Sequence, residues 1–200
     1  MNLPENDYQI LKLTPRFYEE HPDPPYHEIL KKNQRAYNCL LFQSHYDYYI
    51  CVPYRSEISH PYSFKFKKTQ RSKSHRSGLD YTKIVIITKS EYIDTEDALI
   101  DKDEFKETIK YLDRIKEEAM TFVEEYVQHV SGSRKMDPRE FKRRYTYSPL
   151  IYFHQELGMV KSFFVCKFTF SLLGYCILCG VLAELCKDAA LFFIVFCHIE

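Results

Sequence analysis

Two hundred residues, 45% of them hydrophobic, can bury a real core, which excludes a disordered tail and bounds the chain at one generous domain or one domain with an appendage. Lys and Arg number 28 and so do Asp and Glu, so the whole-chain charge points to no class of partner. Resolved locally, Arg55 to Lys83 holds eight bases against two acids and Glu91 to Glu125 thirteen acids against five bases, so the folded molecule should be electrically polarised.

The opening MNLPENDYQILKL is too polar for a secretory leader and has no small-residue cleavage pattern, which makes residence in the cytoplasm the expectation. The first 90 residues then read mainly as strands: YQILKL at 8–13, YNCLLF at 37–42, DYYICV at 47–52, YSFKF at 62–66 and KIVIIT at 83–88. These are short runs rich in β-branched and aromatic residues, bounded by Pro, Ser, Asp and Gly, and they predict an antiparallel sheet. Between the first two, EEHPDPPYHE carries three prolines within four residues; the missing donors and fixed φ make it a surface excursion. The polar QSHYD joins the next two as a hairpin and delivers the chain to Arg55 and Ser56.

From Asp101 the pattern changes to helix. Phe105, Ile109, Leu112, Ala119, Phe122, Tyr126 and Val130 recur at three- and four-residue spacing, which predicts one long amphipathic helix. A capping box of Asp101 and Glu104 opens it, and Ser131 and Gly132 end it. Asp137-Pro138 and Ser148-Pro149 each set a capping residue before proline at the first helical position, predicting two shorter helices, the second closing at Leu157 and Gly158. The class is therefore α+β, a small antiparallel sheet with one long and several short helices, and the domain is expected to occupy residues 1–158.

Residues 159–200 are apolar and of another kind. Within them, residues 163–185 approach the length that spans a bilayer, interrupted by Lys167 and diluted by Ser, Thr, Gly and Cys. A membrane anchor, a translated extension past the natural end of the domain, and a core-packing segment are all consistent with that composition. Five of the seven cysteines, Cys166, Cys176, Cys179, Cys186 and Cys197, lie here. Cys176 and Cys179 form a C-x-x-C among Leu, Ile, Gly and Val rather than among further ligands, so neither a metal nor a cofactor is expected.

The cations Lys65, Lys67, Lys68, Arg71, Lys73 and Arg76 fall within twelve residues, interleaved with Ser and Thr. Such a run is either a solvated loop or a surface for phosphates, where each neutralised phosphate releases a counterion. Tyr54, Tyr62, Phe64, Phe66 and Tyr81 nearby suit stacking on unpaired bases, or else are core aromatics on alternating strand positions. Pro53 cannot continue a central ladder, which puts Arg55, Ser56 and His60 at a turn on a sheet rim. Metal-free RNA cleavage needs a group to take the 2′-hydroxyl proton, one to protonate the leaving 5′-oxygen, and cations for the phosphorane. Imidazole as a group suits either acid or base work near neutral pH, so His60 can serve in that role, Arg55 can bind phosphate in bidentate fashion, Arg35 or Lys83 could add charge, and Ser56 suits a hydrogen-bond donor because no Ser-His-Asp pattern accompanies it.

Three stretches, VPYRSEISHPYSF, SGLDYTKIVII and YSPLIYFHQEL, resemble in order and spacing the successive motifs of type III toxin–antitoxin toxins, the TenpN and CptN branch of the ToxN/AbiQ group. The resemblance runs from about Tyr8 to Leu157. It implies a small, strongly curved antiparallel sheet with helices, similar to the MazF and Kid toxins. It also implies a metal-independent, sequence-selective endoribonuclease that leaves a 2′,3′-cyclic phosphate. The implied partners are a cellular or phage RNA substrate and an inhibitory antitoxin RNA of pseudoknotted repeats, which the toxin trims and binds in an alternating protein–RNA assembly, as in phage defence. Arg35 matches the basic residue before the second strand and Ser56 the active-site serine. Where ToxN members carry Thr and Lys around that serine, this chain has Arg55 and Ile58, which shifts the charge and proton transfer to Arg55 or His60. Asp80, Tyr81, Thr82 and Lys83 match a further motif, with Lys83 a phosphate contact and Asp80 structural. His154 matches a helical position that reads as a satisfied buried histidine. Two other classes fit the same residues: an RNA-binding module without cleavage, and a membrane-anchored interaction protein.

Overall fold

A computed structural model describes residues 8–30, 39–46 and 48–159. Arg35 and the apolar C-terminal extension lie outside the described residues. The fold is α+β: an antiparallel sheet of seven strands, β1 (Tyr8–Leu13), β2 (Cys39–Gln43), β3 (Tyr49–Arg55), β4 (Ser63–Lys65), β5 (Gly78–Asp80), β6 (Val85–Ile87) and β7 (Ile93–Asp97). Its helices are α1 (Pro15–Glu20), α2 (Ser72–His75), α3 (Lys102–Lys110), α4 (Leu112–Ser131) and α5 (Pro138–Tyr145).

The strand order is β4-β5-β3-β2-β1-β7, with β6 also on β3. Consecutive residues Leu40, Leu41 and Phe42 of β2, and Ile50, Cys51 and Val52 of β3, are all buried. Side chains alternate between faces along a strand, so both faces of the sheet are covered at its centre. The hairpin between them forms where expected, with the Ser44 hydroxyl donating to the carbonyl of Tyr48 at 2.6 Å. Strand β3 carries two partners on one edge. Its first half, Tyr49–Cys51, pairs with β6, and its end, Tyr54 and Arg55, pairs with Leu79 and Gly78 of β5. The chain leaves the sheet between those partners in a 3-10 turn, Tyr81–Lys83, and rejoins it at β6. The sequence pattern finds β1 to β4 and β6; it misses β5 and β7, whose residues GLD and IDTED carry Gly and acids in place of an apolar run.

The single long helix expected from Asp101 is two. Tyr111, at φ −117° and ψ 21°, breaks it into α3 and α4. The buried stripe differs from the expected one: Ile115, Ala119, Phe122, Val123 and Tyr126 of α4 face the core, while Phe105 and Val130 are 44% and 40% exposed. The inner face of α3 is polar, with Glu104, Glu107 and Thr108 buried. The capping box does not form; Asp101 caps no amide through its side chain, and Glu104 turns inward instead. Gly132, at φ 79°, ends α4 in the left-handed conformation that glycine adopts without strain. Asp137 caps α5 through its carboxylate, which accepts from the amides of Arg139 and Glu140, each at 3.0 Å. The helix expected from Ser148-Pro149 shortens to a 3-10 turn over Pro149–Tyr152.

Candidate functional site

Strand β3 ends at Arg55, and the next residues turn sharply, because Glu57 adopts φ 60°. Two backbone bonds hold the turn: Glu57 N–H donates to the carbonyl of His75 and Ile58 N–H to that of Arg76 at 3.3 Å. The buried side chain of Ile58 anchors it from below. Opposite Arg55, Gly78 leaves no room for a side chain; a Cβ there would lie 2.1 Å from the backbone oxygen of Phe64. The register also sets Lys65 opposite Gly78, so two cations flank a residue without a side chain.

The centre of this region is Asp80, whose side chain is 0% exposed. Its carboxylate accepts from Arg55 Nη1, from Thr82 N–H at 2.9 Å and from the Thr82 hydroxyl at 2.7 Å. His60 Nε2 lies 3.3 Å from Asp80 Oδ1 and 3.4 Å from Thr82 Oγ1. Burial, the largest influence, pushes the Asp80 carboxyl up, but hydrogen bonds from His60 and Thr82 and the His60 and Arg55 charges together hold it below the usual carboxylate range. A buried carboxylate with this many donors stays ionised and fixes the orientation of each donor. Nδ1 of His60 is buried without a hydrogen-bond partner among the described residues. The ring stacks on Tyr62 with centroids 6.2 Å apart.

Of the residues picked from the sequence, Arg55 and His60 thus meet at one carboxylate. Ser56, half-buried, follows Arg55 on the turn with no side-chain hydrogen bond among the described residues. The basic run is more ordered than a solvated loop. Glu107 accepts from the amides of Lys67 and Lys68 at 2.9 and 3.1 Å, Asp103 from that of Gln70 at 2.6 Å, and Arg71 Nε donates to the buried Glu104 at 3.0 Å. Burial pushes the Glu104 carboxyl up, and the Arg71 charge offsets this only in part. Lys67, Lys68, Lys73 and Arg76 remain exposed and Lys65 half-exposed, whereas Arg71 is tied to α3.

Two further residues are occupied otherwise than the sequence suggests. Lys83 donates to Glu28 Oε2 at 2.9 Å and to the carbonyl of Tyr147 at 2.6 Å, so its ammonium binds two loops rather than a free surface. Tyr81 is buried with its hydroxyl donating to Glu118 at 2.7 Å, which leaves no face for stacking on a base. His154 is half-buried with Nε2 2.7 Å from the Tyr126 hydroxyl. The acids Asp103, Glu104 and Glu107 were missed as partners of the loop; their signal is the block of opposite charge that follows the basic run.

No family model matches the chain, and neither do curated proteins or solved structures. Among the described residues no helix is long and apolar enough to cross a membrane, and no group of three or more His, Cys, Asp or Glu is arranged to hold a metal ion.

Proposed function

We propose that the chain is an RNA-cleaving toxin of the type III toxin–antitoxin class, a metal-independent, sequence-selective endoribonuclease with the curved MazF- and Kid-like sheet of that class. The supporting observation is the convergence of Arg55 and His60 on the ionised, buried Asp80, with Ser56 beside them and exposed lysines on the adjoining loop. In this reading the RNA supplies its own nucleophile: the 2′-oxygen attacks the neighbouring phosphorus, the bond to the 5′-oxygen breaks, and the products are a 2′,3′-cyclic phosphate and a 5′-hydroxyl. The 2′-hydroxyl proton passes to a base and the 5′-oxygen gains one from an acid. His60, held by Asp80, takes part in that transfer, Arg55 neutralises the phosphorane, and the Ser56 hydroxyl donates to a phosphate oxygen. Arg35 adds a second cation in the same proposal. The exposed Lys65, Lys67, Lys68, Lys73 and Arg76 carry the strand electrostatically, and the same surface takes the inhibitory repeat RNA.

Incubation of the purified full chain with RNA in EDTA tests this. Cyclic phosphate ends that vanish in Ser56→Ala and His60→Ala are expected; cleavage unaffected by both substitutions together, or intact RNA, counts against it. One observation favours a second reading, an RNA-binding module without cleavage: His60 spends Nε2 on Asp80 and Thr82 and buries Nδ1. Binding with intact RNA in that assay selects this reading.

A further inference from the structure

A cleft of about 400 Å³ is walled by three elements: the tip of the β2–β3 hairpin, α4, and the turns at residues 154–158. The walls are held in place. At the hairpin tip the Ser44 hydroxyl accepts from the Tyr46 amide at 3.1 Å and lies 3.0 Å from the Tyr46 carbonyl. The Tyr46 ring stacks on Tyr48, centroids 5.6 Å apart at 16°. Tyr46 is 56% exposed, and its outer face meets no ring or cation among the described residues. On the terminal turns, Leu157 N–H donates to the Phe153 carbonyl at 2.9 Å and Gly158 N–H to that of Gln155 at 3.0 Å.

The polar groups of this cleft lack partners. Glu124 of α4 and Glu156 of the terminal turns, both half-buried, make no hydrogen bond or ion pair among the described residues, and no Lys, Arg or His is among those that line the cleft. Tyr48 is only 7% exposed, yet its hydroxyl has no hydrogen-bond partner among them either. Burial first, then Tyr46 and Glu124, push that hydroxyl up to about 12, so at neutral pH it stays a neutral O–H. An unpaired hydroxyl on a buried ring costs free energy, and two unpaired carboxylates in one cleft repel.

A single kind of ligand relieves both. It is cationic, because nothing in the cleft would balance an anion, and it carries N–H donors for the carboxylates and the hydroxyl, which a quaternary ammonium lacks. Carboxylates on two separate elements call for two cationic groups. Val127 and Leu157 offer apolar surface to the methylenes that join them, and the outer face of Tyr46 suits a cation over a ring. The volume lies toward the small end of ligand pockets, which suits a small molecule. We propose that this cleft binds a linear aliphatic diamine or polyamine, one ammonium at Glu124 beside the Tyr48 hydroxyl and the other at Glu156. The site shares no residue with the Arg55–His60 rim.

The probes are putrescine, spermidine, butylamine and succinate, titrated into the full chain at low salt and followed by NMR at the Tyr46 and Tyr48 rings. Putrescine and spermidine should bind roughly tenfold or more tightly than butylamine, because butylamine engages one carboxylate only, and succinate should leave both rings unmoved. Glu124→Gln and Glu156→Gln, with spectra otherwise like wild type, should each bring putrescine to within about threefold of butylamine. Added salt should weaken the diamines more than the monoamine. Putrescine no tighter than butylamine, or a preference that survives both substitutions, would overturn the proposal. Tri-lysine moving those rings while putrescine and spermidine do not would overturn it as well, and would give the cleft to a protein partner.

Discussion

Replacing Asp80 with Asn removes a charge from the centre of the site while keeping its size. One amide oxygen still accepts from Thr82, but the amide nitrogen now faces a donor, and Arg55 and His60 lose their anion. Hydrogen bonds between charged groups contribute about 1.5–3 kcal/mol each. The Arg55 and His60 side chains are 30% and 29% exposed, so water recovers part of what they lose, and a combined cost of about 2–3 kcal/mol follows. Urea unfolding at pH 7 measures it. The pH dependence has a definite sign. A carboxyl held below its ordinary 3.8 stabilises the fold above that value and loses the contribution as pH falls through its folded value. The gap between wild type and variant should therefore close as the solution is acidified below about pH 4. A loss under about 0.5 kcal/mol, typical of an unremarkable surface change, or a gap that widens in acid, would refute the reasoning.

Other consequences follow from the same contacts. Gly78→Ala forces a Cβ against the Phe64 carbonyl, a backbone atom that cannot swing aside, and should lower stability by about 1–3 kcal/mol in urea titration. Arg71→Ala leaves Glu104 buried without its cation; the variant should be less stable than wild type at pH 7, with the deficit shrinking as Glu104 protonates in mild acid. Glu107→Ala deprives the Lys67 and Lys68 amides of their acceptor, and hydrogen exchange at those two amides should accelerate while the β3 amides are unchanged. Replacing Lys67, Lys68 and Lys73 together with Ala should weaken RNA binding across sequences and flatten the salt dependence by about 0.7 per lost phosphate contact; an unchanged slope removes the loop from the interface.

Much of the sheet was legible because its central strands are continuous apolar runs, and β1 was read at its observed bounds from YQILKL alone. Strand β5 was not, since Gly78 is there for close approach and Asp80 for the site, and neither looks like a strand residue. The helical period from Phe105 to Val130 survives the break at Tyr111 as a pattern of letters, but the polar inner face of α3 follows from Glu104 and Glu107 bonding the distant basic loop. At the site, sequence order placed Arg55 and His60 on one turn, and charge alone pointed to the basic loop. What it could not supply is that Asp80, twenty-five residues after Arg55, ties those two together, or that Lys83 and Tyr81 are spent on structural partners. Those are long-range contacts, and no local propensity encodes them.

The central claim is that the RNA breaks itself through its own 2′-hydroxyl while this rim supplies charge and proton transfer. Once a cut site is mapped, an RNA with a single 2′-deoxy sugar on the 5′ side of that bond, incubated with the full chain in EDTA, is the most direct measurement. The account predicts that the substituted bond stays intact while neighbouring sites are still cut to cyclic phosphates. Cleavage of the deoxy-substituted bond at the unmodified rate would contradict it.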